Sequence, residues 1–150
     1  MDKQPRGRRD ARNTLTPEFS QIWLPGPPGM SGVVVAYITV GAAPSRTSYP
    51  DLLRAHSGDI VIWVVRNADR HRRTVSLTNF KVREGGRLHP QDPLEDLTPD
   101  RTAAVNPGDL GLIAAKVRRE DRYQGRYKYT IEISGRASID PDLDITPPLS

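Results

Sequence analysis

The chain has 150 residues, 36% hydrophobic and 27% charged, with 14 prolines, 12 glycines and no cysteine. That length supports one domain with a real core plus a tail, and the proline and glycine content favours short strands and turns over long helices. The missing cysteines exclude disulfides, thiolate metal ligands and cysteine nucleophiles; a net charge of +4, from 22 basic and 18 acidic residues, is mild and intermixed for a nucleic-acid binder.

Residues 1–20 are polar and carry Arg6, Arg8, Arg9 and Arg12, so they read as a flexible basic N-terminal arm, with 21–150 as the folded domain. The N-terminus lacks the apolar stretch of a secretory signal, and no apolar run is long enough to span a bilayer. The expectation is a cytoplasmic protein without membrane insertion. In "IWLPGPPGMSG", Trp23 is placed to tuck an extended arm onto the domain.

"VVVAYITV" (33–40) is dense in β-branched residues and predicts a strand. "DIVIWVV" (59–65) is apolar on both alternating faces, which predicts a strand covered on both sides. In "TVSLT" (74–78), Val75 and Leu77 alternate with polar residues, and "LGLIAAKV" (110–117) is a further strand. "RYKYTIEIS" (126–134) puts Tyr127, Tyr129, Ile131 and Ile133 on one face, and "IDPDLDI" aligns Ile139, Leu143 and Ile145. "YPDLLRAHSG" allows either a turn or two of helix or a strand. Residues 81–104, rich in proline, glycine and charge, read as one long connection. Short strands without alternating helices imply an all-β, antiparallel β-sandwich.

Two segments carry a resemblance. "HSGDIVIWVVRNADRH" combines Gly-Asp, a strand with an aromatic, a turn and a histidine; "VNPGDLGLI" followed by "YQGRYKYTIEI" combines a Pro-Gly turn with a Gly-x-Tyr-x-Tyr strand. In this order, over roughly Tyr49 to Ile133, they resemble the cupredoxin family, which implies a cupredoxin-like Greek key. In copper-binding members, a histidine at the place of His71 is the first ligand, and a cysteine follows the Tyr-x-Tyr strand by two residues, where this chain has Ile131. A type 1 centre needs two imidazoles and a thiolate, usually with an axial methionine, and "TIEISGRASIDPD" supplies none of these. The chain is thus similar to small bacterial cupredoxin-like proteins without the copper set. That resemblance implies no type 1 copper and no electron transfer, and transfers no activity.

Other constellations are weaker. His56, His71 and His89 share no local ligand spacing. A site from His71 and His89 with a carboxylate such as Asp92 is the metal alternative, against the commoner reading of surface histidines. Asp140, Asp142 and Asp144 lack the glycine and glutamate of a calcium loop and read as an acidic edge strand that discourages association. No nucleophile elbow, P-loop or dinucleotide turn is present, so no enzyme is indicated. Glu95, Asp96 and Asp100 read as loop solubility. Tyr123, in "RREDRYQGR", marks a basic-aromatic patch. Arg66, Arg70, Arg72 and Arg73 flank His71 around one turn, where ordinary solvation outweighs a phosphate footprint.

The reading is a non-catalytic binding or assembly module without a cofactor, with another protein as partner. Its expected contacts are Arg66, Arg70, His71, Arg72 and Arg73 in the 66–73 turn, Tyr123, and the 81–104 connection. The alternatives are a mononuclear metal protein using His71 and a weak nucleic-acid binder using the Arg66–Arg73 turn.

Overall fold

Alternation between apolar and polar residues builds nearly every element. The computed structural model describes residues 14–15 and 20–148, so the arm read over 1–20 lies outside the described residues apart from Thr14, Leu15 and Ser20. The first strands are β1 (Thr14–Leu15), β2 (Gln21–Leu24), β3 (Val33–Val40), β4 (Tyr49–Pro50), β5 (Leu52–His56) and β6 (Ile60–Asn67). They are followed by β7 (Arg73–Glu84), β8 (Arg87–Pro90), β9 (Leu94–Asp96), β10 (Thr102–Val105), β11 (Leu110–Val117), β12 (Gly125–Ile133) and β13 (Asp142–Thr146).

Two sheets form a sandwich. One has the order β2-β3-β6-β11-β9, the other β10-β7-β12-β13-β5 with β8 added on β7, and β1 pairs separately with β4. Pairing is mostly antiparallel, but β3 runs parallel to β6 and β5 parallel to β13. Between the sheets lie Trp63, Tyr129, Leu53, Ile113, Ile131 and Leu143, all fully buried. Each aliphatic side chain of this kind contributes about 1.5–3 kcal/mol by leaving water. Phe80 stacks on Tyr129 at a centroid distance of 5.1 Å, and Trp63 meets the edge of Tyr129 at 6.3 Å.

Strand β7 runs well past the predicted 74–78. Val75 and Leu77 face inward, then Phe80 and Val82 do, so the alternation slips by one residue. The slip is a bulge. Thr78 faces Thr130 and Lys81 faces Lys128, leaving Asn79 and Phe80 opposite Tyr129 alone. Asn79 takes the left-handed conformation (φ 55) that asparagine tolerates.

The 81–104 segment is not the long connection its composition suggested. It holds the end of β7, the β7–β8 hairpin with Gly85 and Gly86 both at positive φ, β9, a 3-10 turn at Pro99–Arg101 and most of β10. Arg101 organises the return. Its buried guanidinium bonds Asp92 at 2.6 Å and the Leu94 carbonyl at 3.0 Å, pairs with Asp96, and stacks 5.2 Å over Phe80. Asp96, read as solubility, is therefore a structural partner.

Strand β13 also departs from expectation, because it lies between β12 and β5 rather than at an edge. Its aspartates face cations on the neighbouring strand: Asp142 lies 2.9 Å from Lys128 Nζ, and Asp144 3.7 Å from Arg126 Nε. Cross-strand opposite charges stabilise such pairings.

Candidate functional site

Three regions hold the chemistry-bearing residues: the two ends of the sandwich and the outer face of the five-stranded sheet. The first end contains the 66–73 turn. Asn67, fully buried, donates through Nδ2 to the carbonyls of His71 and Val105 at 2.8 Å each, and its Oδ1 accepts from Asp69 N–H at 2.9 Å. This folds the turn and drives Asp69 inward.

Asp69 then joins two arginines. Its Oδ2 accepts from Arg73 Nε at 2.7 Å and lies 3.4 Å from Arg136 Nη2, while its Oδ1 accepts from Arg70 N–H at 2.7 Å. The hydrogen bond from Arg73 holds the Asp69 carboxyl below its ordinary range, against the opposing effect of burial. Arg136 also donates to the Gly41 carbonyl at 2.8 Å, and Arg73 Nη1 to the Ser134 carbonyl at 2.7 Å. Ser134 Oγ accepts from Thr74 N–H at 2.9 Å.

Arg73 is thus a structural residue and not a free contact. Arg66, Arg70, His71 and Arg72 are exposed. Ile131 is core, as expected, but it lies in mid-sheet opposite Leu77. Strand β12 ends at Ile133, and the residues it delivers to the His71 end are Ser134 and Arg136, in a turn.

His71 and His89 do not come together. His89 pairs with Val82, nine residues along β7 from Arg73, a separation of about 30 Å in an extended strand. Among the described residues, no three or more His, Asp or Glu side chains form a group that could hold a metal ion. At the place where the cupredoxin resemblance would put copper, the donors present do not fit it: the chain offers no thiolate, and two guanidiniums converge there.

Tyr123 belongs to the opposite end, in the 3-10 turn Asp121–Tyr123 between β11 and β12. The guanidiniums of Arg122 and Arg118 stand 4.8 and 5.5 Å from its ring, and its carbonyl accepts from the Tyr127 hydroxyl at 2.8 Å. Its ring is occupied by the chain's own arginines and is remote from the Arg66–Arg73 turn. The same end is closed by Asp59, whose carboxylate accepts from Gly32 N–H at 2.9 Å, His56 N–H at 2.9 Å and Trp23 Nε1 at 3.1 Å. Trp23 therefore does tuck its strand onto the domain.

The two outer faces of the sandwich differ sharply. The six-stranded sheet shows water Arg126, Lys128, Glu132 and Asp144, a solvated surface. On the five-stranded sheet, the strand register aligns Ile22, Val35, Ile62 and Ala114 in one row, and Tyr37, Val64 and Leu112 in the next. A further row holds Leu24, Val33, Ile60, Lys116 and, on β9, Glu95, and the last Thr39, Arg66 and Leu110. Ile22 is 45% exposed, Leu24 52%, Leu110 65% and Leu112 58%. The double-sided apolarity of β6 predicted cover on both faces; among the described residues only the inner one is covered. This face is what residue-by-residue inspection missed, since its signal lies in registering four strands at once.

No family model matches the chain, and no curated protein does. Solved structures match at low identity. A chain of the CsuC–CsuE chaperone–tip adhesion subunit pre-assembly complex from archaic chaperone-usher Csu pili of Acinetobacter baumannii is 14% identical over 65% of this chain and 54% of its own, with a TM-score of 0.51. A multicopper oxidase is 16% identical over 93% of this chain and 50% of its own, with a TM-score of 0.50. The chain spans about half the length of each. These likenesses show the fold, a cupredoxin-like β-sandwich.

Proposed function

We propose that this chain is a non-catalytic binding or assembly module without a type 1 copper centre, and that its contact surface is the outer face of the five-stranded sheet. The observation that carries this reading is the continuous apolar face spanning β2, β3, β6 and β11, with Leu110 and Leu112 largely exposed. The largest apolar patch on a soluble monomer typically covers about 300–600 Å² and is often a functional contact site. Of the turn residues read as contacts, Arg66 belongs to this face, at its rim, while Arg70, His71 and Arg72 lie beyond it. The buried Asp69–Arg73–Arg136 group supports a closed, non-metallic end.

Because the chain lacks cysteine, single cysteines placed at Leu112 or at exposed Leu88 on β8 act as clean reporters. In lysate at native expression level, a maleimide should label L112C at least about tenfold more slowly than L88C, as burial in an interface excludes the reagent. Equal labelling rates would overturn the reading.

A further inference from the structure

We infer that the occupant of this face is a second copy of the same chain, packed sheet to sheet about a twofold axis parallel to the strands; the inference rests on the proposed contact face and names its partner.

Area is the first argument. Strands about 4.8 Å apart and outward rows about 6.8 Å apart, with all four strands of the face in two of the rows and three in the other two, give roughly 450 Å² of projected face per copy. Two copies together remove roughly 900 Å², close to the level at which specific interfaces begin. Side-chain relief adds to this.

Shape is the second. Strands β3 and β6 run parallel and in register, Val35 beside Ile62 and Tyr37 beside Val64. A twofold axis between them lays each strand over the other in the second copy without changing direction or row, and lays β2 over β11. Val35 then faces Ile62, and Ile22 stands over the small Ala114 of the second copy. This is an isologous contact, closed by its own symmetry.

Charge is the third. Lys116 would face Leu24, and Arg66 would face Thr39, so no like charges oppose each other although both copies carry +4. Residues 1–13 are poor cover: they hold five basic and two acidic residues, with Met1 and Ala11 as their apolar side chains.

The test is sedimentation equilibrium of the untagged protein over a roughly hundredfold concentration range, with wild type, L112E and the control L88E. Wild type and L88E should dimerise, and L112E should dimerise at least about a hundredfold more weakly, since a buried unpaired charge opposes association. Both substituted leucines are exposed, so an unchanged far-UV circular dichroism spectrum confirms that each variant folds. An I22C/A114C double variant should be joined between copies by a bifunctional thiol reagent spanning about 5–8 Å, because facing sheets stand about 10 Å apart whereas within one copy these positions lie about 14 Å apart across three strand spacings.

A wild type that stays monomeric while L112C remains protected in lysate overturns the second copy and leaves the contact face standing, with another macromolecule on it. A monomer with L112C freely labelled overturns both. Dimers indifferent to L112E, or I22C/A114C dimers that do not cross-link, overturn the arrangement inferred here.

Discussion

Replacing Asp59 by alanine tests how the edge of the proposed contact face is held. The residue is 2% exposed; its carboxylate accepts from Gly32 N–H, His56 N–H and Trp23 Nε1 and lies 3.2 Å from His56 Nδ1. Alanine leaves the buried Gly32 N–H and the part-buried His56 N–H unpaired, at about 1–3 kcal/mol each, and frees the more exposed indole at smaller cost. The expected loss is about 3 kcal/mol, a large share of the roughly 5–15 kcal/mol that holds a domain together. For this size, 1 kcal/mol moves Tm by about 2–4 °C, so melting should fall by roughly 6–12 °C. D59N retains an acceptor for Gly32 but turns an amide toward the donors from His56 and Trp23, so it should recover only part of the loss. Urea unfolding followed by near-UV circular dichroism measures both. Since Trp23 sits on β2, D59A should also speed amide exchange at Gln21–Leu24. A loss below about 1 kcal/mol, or D59N indistinguishable from wild type, would refute the assignment of these hydrogen bonds.

Tyr129 places a fully buried hydroxyl in the core that, among the described residues, has no partner in hydrogen-bonding geometry, and Trp63 Nε1 is unpaired likewise. Y129F should therefore be neutral or stabilising by up to about 1 kcal/mol in urea unfolding, and a clear destabilisation would show the hydroxyl to be bonded. Burial also raises the Tyr129 phenol above its ordinary value, so the unfolded chain ionises first as pH climbs past 10. Stability is intact below that value and declines above it, at up to about 1.4 kcal/mol per pH unit from this group; Y129F should flatten the alkaline decline. Asp69 works in the opposite sense. Arg73 lowers its folded value, so its contribution is present above pH 3.8 and disappears as pH falls through that lower value. D69N should remove this part of the acid transition, and an unaltered acid profile would contradict the ion-pair geometry.

Strands whose signal is local were legible in the sequence. Residues 33–40 and 110–117 match β3 and β11 end to end, and the Tyr127–Ile133 alternation gives the core face of β12. What escaped depends on partners distant in the chain. Asn79 inserts one residue into β7, and only Tyr129 on β12 reveals that the alternation has slipped rather than ended. Strands β8, β9 and β10 are three or four residues long, and their proline and charge hide them until Arg101 gathers Asp92 and Asp96. The aspartates of β13 look like an edge because the matching cations, Arg126 and Lys128, belong to another strand. The basic turn was readable as charge, but Arg136, which joins Asp69 across 67 residues of sequence, was not readable as its partner.

The end and the face of this sandwich argue for different kinds of work. At the end, a carboxylate lies between two guanidiniums, each also tied to a backbone carbonyl. Removing one member of such a group leaves an uncompensated charge, which fixes the local geometry more than it adds to stability. That suits a rigid closure and not an exchangeable ligand site. The face has the contrary character: apolar, drawn from four strands held by backbone hydrogen bonds, and with Ile22, Leu24, Leu110 and Leu112 in water. Burial there yields free energy without rearranging the fold, because the sheet is already ordered and only side chains lose freedom on contact. The double-sided apolar run of β6 is then no anomaly. On the proposed contact, it is the pattern of a strand with two apolar faces, one buried within the chain and one available for assembly.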